Sequence, residues 1–238
     1  MIYRIFALIF ISIFTHTNTS NSQFTSSNKV QRFAHTFHKN KTTCVEKFSM
    51  IEENSTTVPS LESFELAYEG YNNLKSQNKI QNNLLTIIDF SLSSKSKRMW
   101  VIDMDSNNVL FHSLVSHGMN SGEEYATQFS NKSESFKSSL GFFLTAECYV
   151  GKHGNSLRLD GVEKTINDNA RDRAIVIHGA DYVSETFIKQ NGRLGRSQGC
   201  PALPNDLKDA IISKIKNKSV LYIYHPSRKE LLKNELFS

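Results

Sequence analysis

Ala174-Ile175-Val176-Ile177-His178-Gly179 is a short continuous apolar run that ends in histidine and glycine, and Gly195-Arg196-Ser197-Gln198-Gly199-Cys200-Pro201 follows it in the chain. An apolar run of this length, closed by a glycine, has the character of a strand buried on both faces. The second stretch sets a thiol between glycine and proline, where neither a helix interior nor a central strand is comfortable. A sulfur nucleophile needs exposure and nearby backbone N–H groups for a developing oxyanion, and glycine lets the chain come close to a substrate. Cys200 supplies the sulfur, and the N–H groups of Gly199 and Cys200 are the nearest candidates for the oxyanion hole. A thiol also needs a base, and His178 at the end of a buried strand has the rigid support a base requires.

Outward from this pair, the pattern is rich in strands. Pro204-Asn205-Asp206 opens a helix with Leu207, Ala210, Ile211 and Ile215 on one face, and Val220 to Tyr224 reads as a closing strand. Upstream, Leu140 to Thr145 reads as a strand flanked by two long polar, loop-like stretches, 116–138 and 151–172. Loops of that length in a compact domain usually carry function. Arg98 to Met104 and Val109 to Val115 flank Asp105-Ser106-Asn107-Asn108 as a hairpin, and Leu84 to Phe90 is a further strand. Leu61, Phe64, Tyr68, Tyr71 and Leu74 recur at helical spacing after Pro59, which predicts one amphipathic helix. The class is therefore mainly β with a few helices. No βαβ alternation and no repeat of 20 to 50 residues is present.

The ends differ in composition from this body. Residues 1–20 carry Arg4 ahead of the apolar run Ile5 to Phe14 and then small polar residues, the layout of a secretory signal. The run is too short to span a bilayer, so no stable membrane span is expected once it is cleaved. Residues 21–58 are rich in Ser, Thr, Asn and Lys and read as a polar linker or arm. Residues 59–226 read as the catalytic domain, and 227–238 as a basic C-terminal tail. Among 238 residues, 28 basic side chains against 23 acidic ones give a net charge of +5, spread along the chain instead of gathered in a stripe. That distribution is a poor footprint for nucleic acid. Three cysteines, Cys44, Cys148 and Cys200, cannot all pair within one molecule, so at least one thiol is left over; a bond between Cys44 and Cys148 stays open.

His178-Gly179 followed by Ser197-Gln198-Gly199-Cys200 resembles the His-Gly … Ser-x-Gly-Cys signature of the murein L,D-transpeptidase catalytic domains. Ser139-Leu140-Gly141-Phe142-Phe143 is similar to the stretch that precedes that signature, and Lys152-His153-Gly154, Leu157 to Gly161 and Asn167 to Arg171 look like one branch of the family. The resemblance spans residues 60 to 225. It implies a β-rich sandwich, with an N-terminal amphipathic helix, around a cleft in which Cys200 attacks a peptidoglycan stem peptide and releases D-alanine. His178 would act as base, oriented by the backbone carbonyl of Gly179, and Ser197 and Gly199 match the signature. An amine on a second stem peptide, or a protein amine, would resolve the thioester; water would make the protein an L,D-carboxypeptidase.

Two departures stand out: Gln198 occupies a position where many members carry His, and Pro201-Ala202-Leu203 stands where many carry an apolar residue followed by Arg. The missing guanidinium makes Arg196, Arg193 and Arg158 candidates for binding a substrate carboxylate, since arginine grips a planar carboxylate by two hydrogen bonds. It also keeps a non-catalytic wall-binding module as the alternative from another class. His112, His117, His153 and Cys148 lack the spacing of a preformed zinc site, so no metal is expected. The mechanism requires no cofactor. The expected location is the periplasm or cell envelope.

Overall fold

The protein, seen here as a computed structural model, is described over residues 43–228. The leader expected in residues 1–20 and most of the tail expected in 227–238 lie outside that range. Eight strands follow one hydrogen-bonded series, in the order β3-β2-β1-β8-β4-β5-β6-β7. They are β1 (Leu84–Asp89), β2 (Met99–Asp103), β3 (Asn108–Ser113), β4 (Gly141–Gly151), β5 (Gly154–Gly161), β6 (Val176–Gly179), β7 (Ala202–Leu203) and β8 (Val220–Tyr224). The helices are α1 over residues 43–54, α2 (Leu61–Ser76), α3 (Glu185–Asn191) and α4 (Lys208–Ile215). None of the described helices is long and apolar enough to cross a membrane.

The alternation of side chains along each strand gives the sheet two apolar faces. On one face Leu85, Ile87, Trp100, Ile102, Phe142, Leu144, Tyr222 and Tyr224 pack against α1 and α2. On the other, Leu84, Ile88, Met99, Val101, Phe143, Leu157, Leu159, Ile177, Leu221 and Ile223 pack with Ile211, Ile212 and Ile215 of α4. Helix α2 starts at Ser60, whose hydroxyl accepts the Ser63 N–H at 3.2 Å, and it buries Phe64, Ala67, Tyr71 and Leu74. Leu61, expected on that apolar side, is exposed.

The polar-arm reading of residues 21–58 is corrected over its second half. Residues 43–54 are helical, and Cys44, Phe48 and Ile51 are buried against Phe64 and its neighbours. Their spacing of four and three makes an apolar stripe, and tertiary burial outweighs the polar composition around it. Because Ile51 is fully buried, Ile51→Ala is expected to destabilise the fold by about 2–4 kcal/mol. A thermal melt checks this, and an unchanged Tm would return the segment to the status of an arm.

The polar stretch 151–172 is also not all loop. Leu157 and Leu159 alternate inward between Ser156, Arg158 and Asp160, and β5 pairs with β4 in a hairpin that turns at Gly151–Gly154. Two leucines are too short a pattern to announce a strand without its partner. Cys44, Cys148 and Cys200 are all free thiols; Cys44 is buried and Cys148 is exposed.

Candidate active site

Strand β6 carries the base candidate. His178 is buried, and since a carbonyl can only accept, its Nδ1–H donates to Gly179 O at 2.8 Å. That bond fixes the tautomer and leaves Nε2 with a lone pair. Burial pulls the His178 pKa below its ordinary value; the Gly179 bond opposes this, and the charges of His153 and Lys152 add to it. The imidazole is thus neutral and able to accept a proton near neutral pH. The His153 ring, at the β4–β5 turn, stacks on it at 4.5 Å between centroids. A Cβ at Gly179 would lie 2.2 Å from Asn205 Oδ1 and 2.3 Å from Lys208 Cδ, so a side chain there would require both of those side chains to shift.

The cysteine turn is held from several sides. Ser197 Oγ donates to Cys200 O at 2.6 Å and accepts the Gly199 N–H at 3.0 Å. Ser138 Oγ donates to Gly199 O at 3.1 Å and accepts the Gly118 N–H at 3.0 Å, joining the turn to the 116–138 stretch. Gly199 has φ +121°, and a Cβ there would meet Lys137 O at 2.9 Å and Ile175 Cδ1 at 3.0 Å. An alanine is excluded both by the left-handed backbone and by the contact. Gly199→Ala is therefore expected to cost about 1–3 kcal/mol of stability and roughly 100-fold in rate through displacement of the sulfur. A melt together with steady-state rates checks this; wild-type rates would show that the turn tolerates displacement.

The sulfur of Cys200 rests beside β6. It accepts the Val176 N–H at 3.4 Å and donates toward Ala174 O at 3.6 Å. Burial raises its pKa, while the Val176 N–H and the charges of Arg173 and Lys152 pull it down. No hydrogen bond joins Sγ to His178. Val176 and His178 are two residues apart on one strand and share a face, about 7 Å apart along it.

The oxyanion expectation needs one correction. The Gly199 N–H turns back onto Ser197 Oγ and is spent there. Among the described residues no acceptor takes the Cys200 N–H, which leaves it as the turn's open donor. The three candidate arginines are also placed differently from expectation. Arg196 donates to Met119 O, Gly122 O and, at 2.7 Å, the Glu123 carboxylate. Arg193 pairs with the same Glu123 at 2.9 Å. Arg158 pairs with Glu147 at 3.2 Å and lies 4.5 Å over the Tyr149 ring. All three already hold a carboxylate, the group they were expected to capture. Among the described residues no three His, Cys, Asp or Glu side chains converge as a metal site.

Two residues at the site were missed in the sequence, Ser138 and Arg173. Arg173 donates from Nη1 to Ser130 O and Ser139 Oγ, and from Nη2 to Ser135 Oγ and Lys137 O, at 2.6 to 3.2 Å. Its Nη2 would lie 3.4 Å from a Cβ on Gly199. Nothing local marks either residue; Ser138 acts through Gly118 and Gly199, 20 and 61 residues away in sequence, and every partner of Arg173 is more than 30 residues away.

Comparison with known proteins bears on the same residues. No curated protein matches the chain. Among solved structures it is similar to an L,D-transpeptidase from Mycobacterium smegmatis, with 12% identity over 60% of this chain and 59% of that one and a TM-score of 0.38. It is similar also to the helical cell shape determining protein Pgp2 from Campylobacter jejuni, with 12% identity over 64% of this chain and 55% of that one and a TM-score of 0.40. A third is an Enterococcus faecium L,D-transpeptidase mutant, at 11% identity over 61% of this chain and 50% of that one, with a TM-score of 0.37. The chain thus spans less than two thirds of the length of each of these proteins. The profile of the L,D-transpeptidase catalytic domain matches residues 55–224, which include both His178 and the cysteine turn. On that match, the chain belongs to the L,D-transpeptidase catalytic domain family.

Proposed function

We propose that the protein is an exported cysteine acyltransferase of the cell wall, acting on the stem tetrapeptide of peptidoglycan. The observation that carries this reading is the placement of His178, its Nδ1–H tied to Gly179 O, on the same strand against which the Cys200 sulfur rests. For the reaction Sγ has to leave Ala174 O and come within reach of Nε2, a movement assigned to rotation about the Cys200 Cα–Cβ bond. His178 accepts the thiol proton as Sγ attacks the carbonyl that precedes the terminal D-alanine. The tetrahedral oxyanion lies over the turn, where the Cys200 N–H is the open donor. Collapse breaks the C–N bond, the proton on Nε2 passes to the departing amine, and D-alanine leaves behind a thioester. An amine on a neighbouring stem then attacks the thioester, gives its proton to His178, and expels the thiol as a 3→3 cross-link forms. Ser197 keeps the turn rigid; it has no step in this chemistry.

Incubation of the purified protein with disaccharide tetrapeptide, with product masses read out, tests transfer directly. The expected product is a cross-linked dimer with one D-alanine released per link. Tripeptide alone would contradict transfer and leave a hydrolase acting through the same pair. Export is tested by the N-terminus of the protein recovered from the producing cell, expected to begin beyond residue 20.

A further inference from the structure

Seven arginines fall within the described residues, and five of them hold a carboxylate: Arg158, Arg171, Arg193, Arg196 and Arg228. Arg98 and Arg173 hold none. Arg98 is fully buried, spends its donors on Val115 O, Leu92 O and His117, and feels the charge of Asp89. Arg173 is different. Its four hydrogen bonds go to two carbonyls and two hydroxyls, all neutral, and the acidic group coupled to it is the thiol of Cys200. A half-buried guanidinium with only neutral partners is expensive to keep charged. Such an arrangement is favourable when an anion forms beside it.

We propose that Arg173 is the positioning residue of the nucleophile: it fastens the 130–139 segment under the Gly199 turn and serves as counter-ion to the Cys200 thiolate. The proposal deepens the transpeptidase reading and rests on Cys200 being its nucleophile. It also accounts for a chain that has Pro201-Ala202-Leu203 after the cysteine and no arginine there. The charge comes through space from Arg173, three positions ahead of the start of β6. Other groups that bear on the thiol are Lys152 at the β4–β5 turn, the phenol of Tyr182 and the backbone N–H of Val176, with His178 two residues further along the same strand.

The test reads the thiol itself and needs no murein. Full-length protein is alkylated with iodoacetamide across a pH series, and each cysteine is followed by peptide mass. Exposed Cys148 serves as the internal control. In Arg173→Gln the midpoint for Cys200 is expected to rise by about one pH unit, a roughly tenfold slower reaction at a fixed pH below it. Arg173→Lys keeps the charge and is expected to keep the wild-type midpoint, although it cannot span four acceptors. Ser135→Ala with Ser139→Ala removes two of those acceptors and is expected to lower Tm with the midpoint unmoved. A folded Gln variant with an unmoved midpoint would overturn the proposal. Should that variant not fold, a raised midpoint in the Lys variant would overturn it equally. Failure here leaves the product test of the preceding section untouched, so the two readings fail separately.

Discussion

Replacing Cys200 by alanine is expected to remove D-alanine release from disaccharide tetrapeptide, a loss on the order of 10⁴-fold or more in kcat. The size follows from the chemistry. Without the sulfur no thioester forms, and the residual rate is whatever the cleft achieves by binding and by the Cys200→Ala backbone N–H acting on water. The substitution should spare the fold. Cys200 is only partly buried, packed against the apolar cluster on the α4 face of the sheet, and it fixes its neighbours through its carbonyl, which accepts from Ser197 Oγ and is retained in alanine. A Tm within a few degrees of wild type beside a lost rate is the expected pair of results. A variant that kept even a tenth of the activity would place the nucleophile elsewhere.

The second large effect is expected at His178. His178→Gln keeps a polar side chain of similar reach but cannot take a proton, and a loss of about 10³-fold is expected. The pH profile distinguishes loss of a base from mere disturbance. Because burial holds the His178 pKa below 6.5, its neutral form is available through the neutral range, and activity should fall as pH drops through that lowered value. The sign for stability runs the same way. A histidine whose folded pKa is depressed takes up protons more readily when unfolded, so its contribution is present above about pH 6.5 and lost as pH falls through the folded value. His117, held at about 4 by burial and by the neighbouring Arg98, adds to the same acid sensitivity. In the Gln variant the acidic limb of the rate profile should flatten while the acid unfolding due to His117 persists. An unchanged acidic limb would mean that His178 is not the base.

Much of this was legible in the sequence because the signals were local. The strand ending at His178, the β2–β3 hairpin around Asp105 to Asn108, β1, β8, and the helices α2 and α4 each carry their own period or turn chemistry. The sulfur between Gly199 and Pro201 announced an unusual turn, and φ +121° at Gly199 is its structural counterpart. What was hidden depended on partners. Cys44, Phe48 and Ile51 sit at helical spacing, but their polar surroundings concealed a helix that exists because Phe64 and Tyr71 bury it. Strand β5 needed β4 beside it. Arg196 and Arg193 looked like substrate ligands until Glu123, about 70 residues away in sequence, took them both. Arg173 was invisible for the reverse reason: its role depends on which acid it lacks.

The central claim is a thioester on Cys200, and intact mass tests it most directly. Wild type and Cys200→Ala are each incubated with disaccharide tetrapeptide, quenched in acid within the first turnovers, and weighed. The account predicts a species on the wild type alone, heavier by the substrate less one D-alanine, with the added mass mapped to the peptide that contains Cys200. D-alanine release with no adduct at Cys200, or an adduct that persists in the alanine variant, would contradict it.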